Sequence, residues 1–350
     1  MKILITGSSG LIGSEAVEHY DAREHDVVGV DNNLRQSFFG PAGDTTWNLE
    51  RLQSVTRAFR PLNLDIRDRA AMFDLFEAER FEMIIHCAAQ PSHDKAKDIP
   101  LVDFDVNATG TVNLLEATRL HCPEAVFIHM STNKVYGDAP NEVPLTELPS
   151  RYDYARSEDY HGINESCRID QCLHSLFGAS KTAGDVAAQE YGRYFGLKTG
   201  IFRGGCLTGP SHSGVELHGF LSYLVHVAVT DQPYTIYGYK GKQVRDQIHS
   251  HDVIQAFEAY ARNPRPGEVY NLGGGRGNAA SVLECIQLIE DISGYRVNHT
   301  YDGQNRIGDH ICYMSDLRKL QKDFPEWSIT IALPQIVEEM IRAEIQKRRR

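Results

Sequence analysis

The sequence predicts an α/β fold: a doubly wound parallel sheet followed by a smaller C-terminal substrate lobe. Three observations predict it. Strand-like and helix-like segments alternate through the first 135 residues, a glycine-rich turn joins the first strand to the first helix, and the alternation is lost from about Ser211 onward, where Gly, His and Tyr become frequent. Strands are expected at Lys2–Thr6, Val27–Val30, Met83–Cys87 and Ala125–Met130. Helices are expected at Leu11–Ala22, Arg69–Glu79 and Val102–His121. A βαβα order of this kind argues for parallel strands covered by helices. A helix over Ala179–Phe195 and a strand over Thr199–Arg203 continue it. The first domain is therefore expected over residues 1–210, with some later segments returning to it, and the substrate lobe mainly over 211–350. The polar stretch Asn141–Cys172 has few periodic signals and reads as a long functional loop.

Composition narrows the function. The chain has 350 residues, 41% of them hydrophobic, enough for a sizeable core. Its formal net charge of −11 argues against nucleic-acid binding, which needs a basic face. The longest apolar runs are too short to cross a membrane, and the first strand begins at Lys2, so a cytoplasmic protein is expected. The seven cysteines form no Cys-x-x-Cys pair, which points to reduced thiols, and no histidine spacing suggests a metal site. The run Lys347–Arg350 ends a helix expected from about Pro334, where cations complement the helix dipole.

The glycine turn carries the first chemistry. Gly7-Ser8-Ser9-Gly10-Leu11-Ile12-Gly13 lies between a strand and a helix. Gly7 permits the tight turn, Gly10 lets a pyrophosphate approach the backbone, and Gly13 lets helix and strand pack closely. The N–H groups of the helix start then face the phosphates. Asp31 follows the second strand, where a carboxylate accepts hydrogen bonds from a ribose diol and repels a 2′-phosphate. The pattern is a Rossmann-type fingerprint that favours NAD over NADP.

The spacing Gly-x-x-Gly-x-x-Gly resembles the extended short-chain dehydrogenase/reductase superfamily, and further motifs agree. They are Leu64-Asp65-Ile66, the turn His86-Cys87-Ala88-Ala89-Gln90, Asn107, and Ser131-Thr132-Asn133-Lys134-Val135-Tyr136-Gly137. The resemblance implies that Asn32, Asp65, Ile66, Ala88, Ala89, Gln90 and Asn107 lie around the cofactor. In that family a Tyr-x-x-x-Lys pair removes the sugar hydroxyl proton, the lysine also lowers the tyrosine pKa and binds the nicotinamide ribose, and a Ser or Thr binds the reacting oxygen. Here the element reads Leu176-Phe177-Gly178-Ala179-Ser180-Lys181. Lys181 and Thr132 are in place, but Phe177 stands at the tyrosine position and cannot act as a base. Three explanations stay open: a natural subgroup with another base, a Tyr→Phe inactivated variant, or a nucleotide-sugar binding protein. Cys206, His174, Tyr160 and Glu165 are the candidate replacement bases.

On the substrate side, Arg203-Gly204 opens a Gly-Pro turn, Gln243-Val244-Arg245-Asp246 matches the family's Gln-x-Arg-Asp, and Arg306-Ile307-Gly308-Asp309 its Arg-x-Gly-Asp. The resemblance implies that Arg245 and Arg306 meet a diphosphate, Asp309 a nucleotide ribose, and Asn133, Arg203 and Gly204 the substrate. Arginine forks suit such a ligand. The wider pattern, including Gln189–Gly196, Phe202–Pro210 and Val215–Phe220, resembles the CDP-paratose 2-epimerase (CDP-tyvelose epimerase) branch. That implies C2 epimerisation through a transient keto sugar, a cytidine rather than a uridine nucleotide, and a homodimer. The alternatives are a net dehydrogenase or decarboxylase, a binding protein, or a 4,6-dehydratase. The last would show Thr-Asp-Glu where this chain has Thr132-Asn133-Lys134.

Overall fold

The computed structural model describes all residues except 213, 216–218, 305–308 and 349–350. Among the described residues the largest sheet has seven strands. Their order is Glu268–Leu272, Lys198–Gly204, Val126–Thr132, Met83–His86, Lys2–Thr6, Asp26–Val30 and Arg60–Leu62. Lys2–Thr6 pairs in parallel with Asp26–Val30 on one side and with Met83–His86 on the other. These strands are short apolar runs because both faces are covered: Leu4, Val28, Ile84 and Phe127 pack with Met72, Phe76, Leu114 and Leu115 from the helices.

The chain divides into two compact units. The first comprises Met1–Val135, Leu176–Arg203 and Val253–Tyr270, and the second Tyr136–Ser175, Gly204–Asp252 and Asn271–Arg350. The division is more interleaved than a break at residue 210. Segment 136–175 groups with the second unit, and 253–270 returns to the first.

Two local readings are corrected. The stretch Asn141–Cys172 is not a structureless loop: Leu145–Glu147 and Tyr152–Tyr154 pair antiparallel in it. Strands of three residues are too short to register as alternation. The helix expected over Val102–His121 is composite, with Pro100–Phe104 and Gly110–His121 flanking a π-helical turn at Asp105–Thr109. Such turns recur at functional sites, and this one carries Asn107.

In the second unit, Val244–His249 pairs with Cys206–Thr208, Ala279–Ser281 and Cys312–Tyr313. Helices Phe220–Thr230, Val282–Ser293 and Leu333–Arg348 build a separate core through Leu224, Val225, Ile286, Ile289, Ile336 and Val337. Among the described residues, no helix is long and apolar enough to cross a membrane.

Candidate active site

The candidate cofactor-binding residues of the glycine turn lie in the first unit. Gly7 has φ +69°, a left-handed conformation, and a Cβ there would lie 2.8 Å from the Ala88 backbone nitrogen. Its N–H donates to the Val30 carbonyl at 2.8 Å, which fixes the turn to the sheet. Gly10 occupies the cap of helix Leu11–Asp21, and no side chain caps that helix. Leu11, Ile12 and Gly13 form its first turn, with backbone N–H groups that have no intrahelical acceptor. Asp31 braces the loop: Oδ2 accepts from the Ser9 N–H at 2.9 Å and Oδ1 from the Asn33 N–H at 2.8 Å. Each oxygen retains a lone pair for a ribose hydroxyl. Asn48, which the sequence reading missed, holds the same loop by donating to the Ser9 carbonyl at 2.9 Å.

The residues expected on the adenine side are similarly fixed. Asn32 donates to Asp65 Oδ2 at 3.0 Å, and Arg67 forks onto Asp65, which holds that carboxyl below the usual range. Ile66 is buried against Gly110, where a Cβ would meet its side chain at 2.6 Å. Asn107 does not present a free amide. Oδ1 accepts from the Gln90 N–H at 2.9 Å, and Nδ2 donates toward the Gln90 carbonyl, Asp103 and Ser180. It is a strut that shapes the Ala88-Ala89-Gln90 turn. Gly184 makes room for it, since a Cβ there would lie 2.8 Å from the Asn107 carbonyl.

Helix Leu176–Phe195 carries Phe177 and Lys181 one turn apart on one face. Phe177 is buried, at 7% exposure. Lys181 Nζ donates to the Met130 carbonyl at 2.9 Å, beside the strand end that bears Thr132. Burial pushes the Lys181 pKa down to about 8. Thr132 Oγ1 accepts from the Lys134 N–H at 3.2 Å, and Asn133 is buried at the start of the following turn. Arg203 is buried and forks onto Asp185 at 3.0 and 2.8 Å. Asp185 also accepts from Ser131 at 2.6 Å and Gln189 at 2.7 Å. The sequence reading missed Asp185, although it lies four residues after Lys181, on the same helix face.

The nucleotide-sugar candidates lie in the second unit. Arg245 NH2 meets Asp309 Oδ1 at 2.6 Å. Burial opposes the guanidinium charge, yet the Asp309 carboxylate holds its pKa above the ordinary value. Asn141 donates to the Asp309 carbonyl at 3.0 Å and accepts from the Ile311 N–H at 2.8 Å, so the acidic partner is itself fixed. Arg306 lies outside the described residues. Gly204 is buried at the end of its strand.

The candidate bases occupy differing surroundings. Tyr160 is 55% exposed and lies under the Arg276 guanidinium at 4.2 Å, a surface arrangement. Glu165 accepts from the Asn271 N–H at 2.7 Å, and burial raises its pKa. His174 Nδ1 lies 3.2 Å from the Cys172 carbonyl. Cys206 sits half-buried in a strand beside Gln247. Among the described residues, no group of three or more His, Cys, Asp or Glu side chains is arranged to hold a metal ion.

The glycine cradle, the uncapped helix start and the braced Asp31 together define a dinucleotide-dependent enzyme of Rossmann-type fold. Residues 3–273 match the model of the NAD dependent epimerase/dehydratase family, and the chain belongs to that family, with NAD as its cofactor. The chain is 31% identical to a CDP-paratose 2-epimerase of Salmonella typhi, over 97% of this chain and 98% of that one. It is 29% identical to a dTDP-glucose 4,6-dehydratase of Salmonella typhimurium, over 92% and 87% of the two chains. Among solved structures, UDP-glucuronic acid 4-epimerase from Bacillus cereus, in complex with UDP-glucuronic acid and NAD, superposes with a TM-score of 0.80. That comparison covers 99% of this chain and all of the other, at 26% identity.

The position of Asp31 gives an expected result. The protein should bind NAD in preference to NADP, and Asp31→Ala should narrow the preference while weakening NAD, because Ser9 and Asn33 lose their acceptor. Fluorescence titration of both dinucleotides checks this, and equal affinities in the unaltered protein would refute it.

Proposed function

We propose that this protein epimerises a CDP-linked sugar at C2 through a transient keto intermediate. The observation that carries the reading is the 31% identity to a CDP-paratose 2-epimerase over 97% of the chain. The retained Thr132, Lys181 and Arg245–Asp309 pair support it. NAD, when bound, supplies a reversible two-electron acceptor next to the sugar carbon. The chain's own groups do the rest. Thr132 Oγ1 offers a hydrogen bond to the reacting oxygen, Arg245 binds diphosphate, and Asp309 accepts from the nucleotide ribose.

A 4,6-dehydratase reading has several relatives in its favour, at 28–30% identity. Elimination of water needs an acid/base pair, and Asn133 and Lys134 supply no carboxylates at those positions. Epimerisation is therefore preferred. The test incubates the NAD-loaded protein with CDP- and UDP-sugars and follows the epimer ratio by NMR. Interconversion of C2 epimers without accumulation of NADH is expected, and NADH release or a dehydrated product would overturn the reading.

Arg245→Ala should weaken CDP binding by about 1.5–3 kcal/mol, the contribution of a hydrogen bond to a charged group. Calorimetry with CDP and UDP reads this directly. Unchanged affinity would place the diphosphate elsewhere.

A homodimer belongs to the same proposal. The helical segments of the first unit carry Leu101 at 79% and Phe104 at 50% exposure, with Tyr194 at 81%. Sedimentation velocity should show a dimer, and a monomer at micromolar concentration would refute it.

A further inference from the structure

We propose that His86 is a positioning residue for NAD: its ring carries a one-way hydrogen-bond chain that locks the turn Ala88-Ala89-Gln90 against the glycine turn. The residues concerned all belong to the first unit. The inference rests on the dinucleotide site assigned to the glycine turn and not on any choice of sugar.

The chain of contacts returns to where it starts. The Ala88 N–H donates to Thr6 Oγ1 at 3.3 Å. Thr6 Oγ1 lies 2.8 Å from His86 Nδ1, and His86 Nε2 lies 2.9 Å from Thr111 Oγ1. Thr111 Oγ1 donates to the Asn107 carbonyl at 2.7 Å. The Asn107 side chain then accepts from the Gln90 N–H and donates to the Gln90 carbonyl. The path leaves the turn at Ala88 and comes back to it at Gln90. Thr6 and His86 are register partners at the ends of adjacent parallel strands. Thr6 immediately precedes Gly7, whose missing Cβ would lie 2.8 Å from the Ala88 nitrogen, so the two turns touch through backbone.

Counting hydrogens assigns the direction. The Thr111 hydroxyl has one hydrogen, and the Asn107 carbonyl takes it. Toward His86 the Thr111 oxygen can then only accept, which puts the ring proton on Nε2. Nδ1 is left bare and accepts from the Thr6 hydroxyl. Thr6 Oγ1 has spent its hydrogen there, and it accepts from Ala88. The opposite tautomer or a charged ring would set an N–H against Thr6 Oγ1 and drive the Thr6 hydrogen off its acceptor. Each donor in such a chain is polarised by the next, so a break at Thr111 is felt at Ala88.

The surroundings keep the ring neutral. His86 is 1% exposed, and burial lowers its pKa to about 3, with Lys181 on helix Leu176–Phe195 acting in the same direction. His129, on the adjacent strand, lies 5.3 Å away between ring centroids and is held well below the ordinary histidine value by burial. Burial pushes the Cys87 thiol up to about 12, so it carries no charge. Asp103 is engaged by Gln90 and Asn107.

The experiment joins a spectroscopic signature to a binding measurement. Protein labelled with 15N-histidine is observed by NMR, and His86 is assigned as the resonance pair lost in His86→Phe. Its Nε2 should be protonated and its Nδ1 bare, unchanged from about pH 5 to 8, where an ordinary histidine changes charge. Adding NAD should shift the Nδ1 resonance, since Ala88 stands one hydroxyl away along the chain. His86→Phe keeps the ring packed on Phe127 and His129 but removes both nitrogens. It should weaken NAD by roughly 5–150-fold, the usual range of coupling between a ligand and a group acting on it indirectly. Thr111→Val removes only the far acceptor and should weaken NAD in the same direction. The double variant should bind no worse than His86→Phe alone, because both break one chain. Calorimetry reads the affinities, and circular dichroism shows that each variant is folded. A merely structural histidine would lower the melting temperature and leave NAD affinity at the parental value, which overturns the proposal. So does a protonated Nδ1 in the unaltered protein, which can be read even if a variant does not fold. Failure of the underlying dinucleotide site looks different: substitutions in the glycine turn itself would then leave NAD affinity unchanged.

Discussion

Asp185→Ala should lower folding stability by about 3–5 kcal/mol, the cost of leaving one member of a buried ion pair without its partner. The Asp185 side chain is 0% exposed and that of Arg203 4%. Removing the carboxylate takes two acceptors from a buried guanidinium and also frees Ser131 and Gln189, which both donate to it. Asp185→Asn should cost less, since one oxygen remains as acceptor. Replacing the pair together, Asp185→Leu with Arg203→Met, should cost less than Asp185→Ala alone, because no unpaired charge is left. Urea denaturation of the four proteins measures this. A loss below about 1 kcal/mol in Asp185→Ala would show that water reaches the guanidinium or that the region repacks.

This pair also shows where sequence reading reaches its limit. The glycine turn, Asp31 and Lys181 were legible because their chemistry is local: each depends on neighbours a few residues away or on a strand end. Arg203 is read as a substrate ligand from its place before a Gly-Pro turn, a reading that says nothing of its ion pair. Its direction is set by Asp185 on a helix that precedes it, and periodicity within one segment does not encode such a pairing. The i,i+4 spacing of Lys181 and Asp185 was the available signal. Asn107 was found by its motif, but its role as a strut appears only when Gln90, Asp103 and Ser180 converge on it. The return of 253–270 to the first unit is a long-range packing outcome, and Cys206–Thr208, with three residues, is too short to display a strand pattern.

Gly13→Ala should abolish NAD binding at concentrations that saturate the unaltered protein. Two effects oppose each other at this position. Alanine is the better helix former by about 1 kcal/mol, and Gly13 lies in the first turn of helix Leu11–Asp21, so propensity alone predicts a small gain. A Cβ at Gly13, however, would lie 2.0 Å from the Gly7 carbonyl oxygen, 2.7 Å from its carbon and 2.9 Å from Ser8 Cα. All three are backbone atoms, so no side-chain rotation relieves the contact. Gly7 is itself tied to Val30 at 2.8 Å, and a shift in the opposite direction presses it on Ala88. The helix start must therefore move away from the turn, at a cost of about 1–3 kcal/mol for overpacking. That displacement opens the cradle in which the first-turn N–H groups and Asp31 act together on one ligand. Gly10→Ala gives the internal comparison: its Cβ would lie 3.2 Å from the Gly7 carbonyl, a contact that a shift of a few tenths of an ångström relieves. It should fold as the parent does and weaken NAD less than Gly13→Ala. Circular dichroism establishes that each variant is folded, and calorimetric titration with NAD reads the affinities. Parental NAD affinity in Gly13→Ala would mean that the turn relaxes without moving the helix, and the close packing assigned to Gly13 would be wrong.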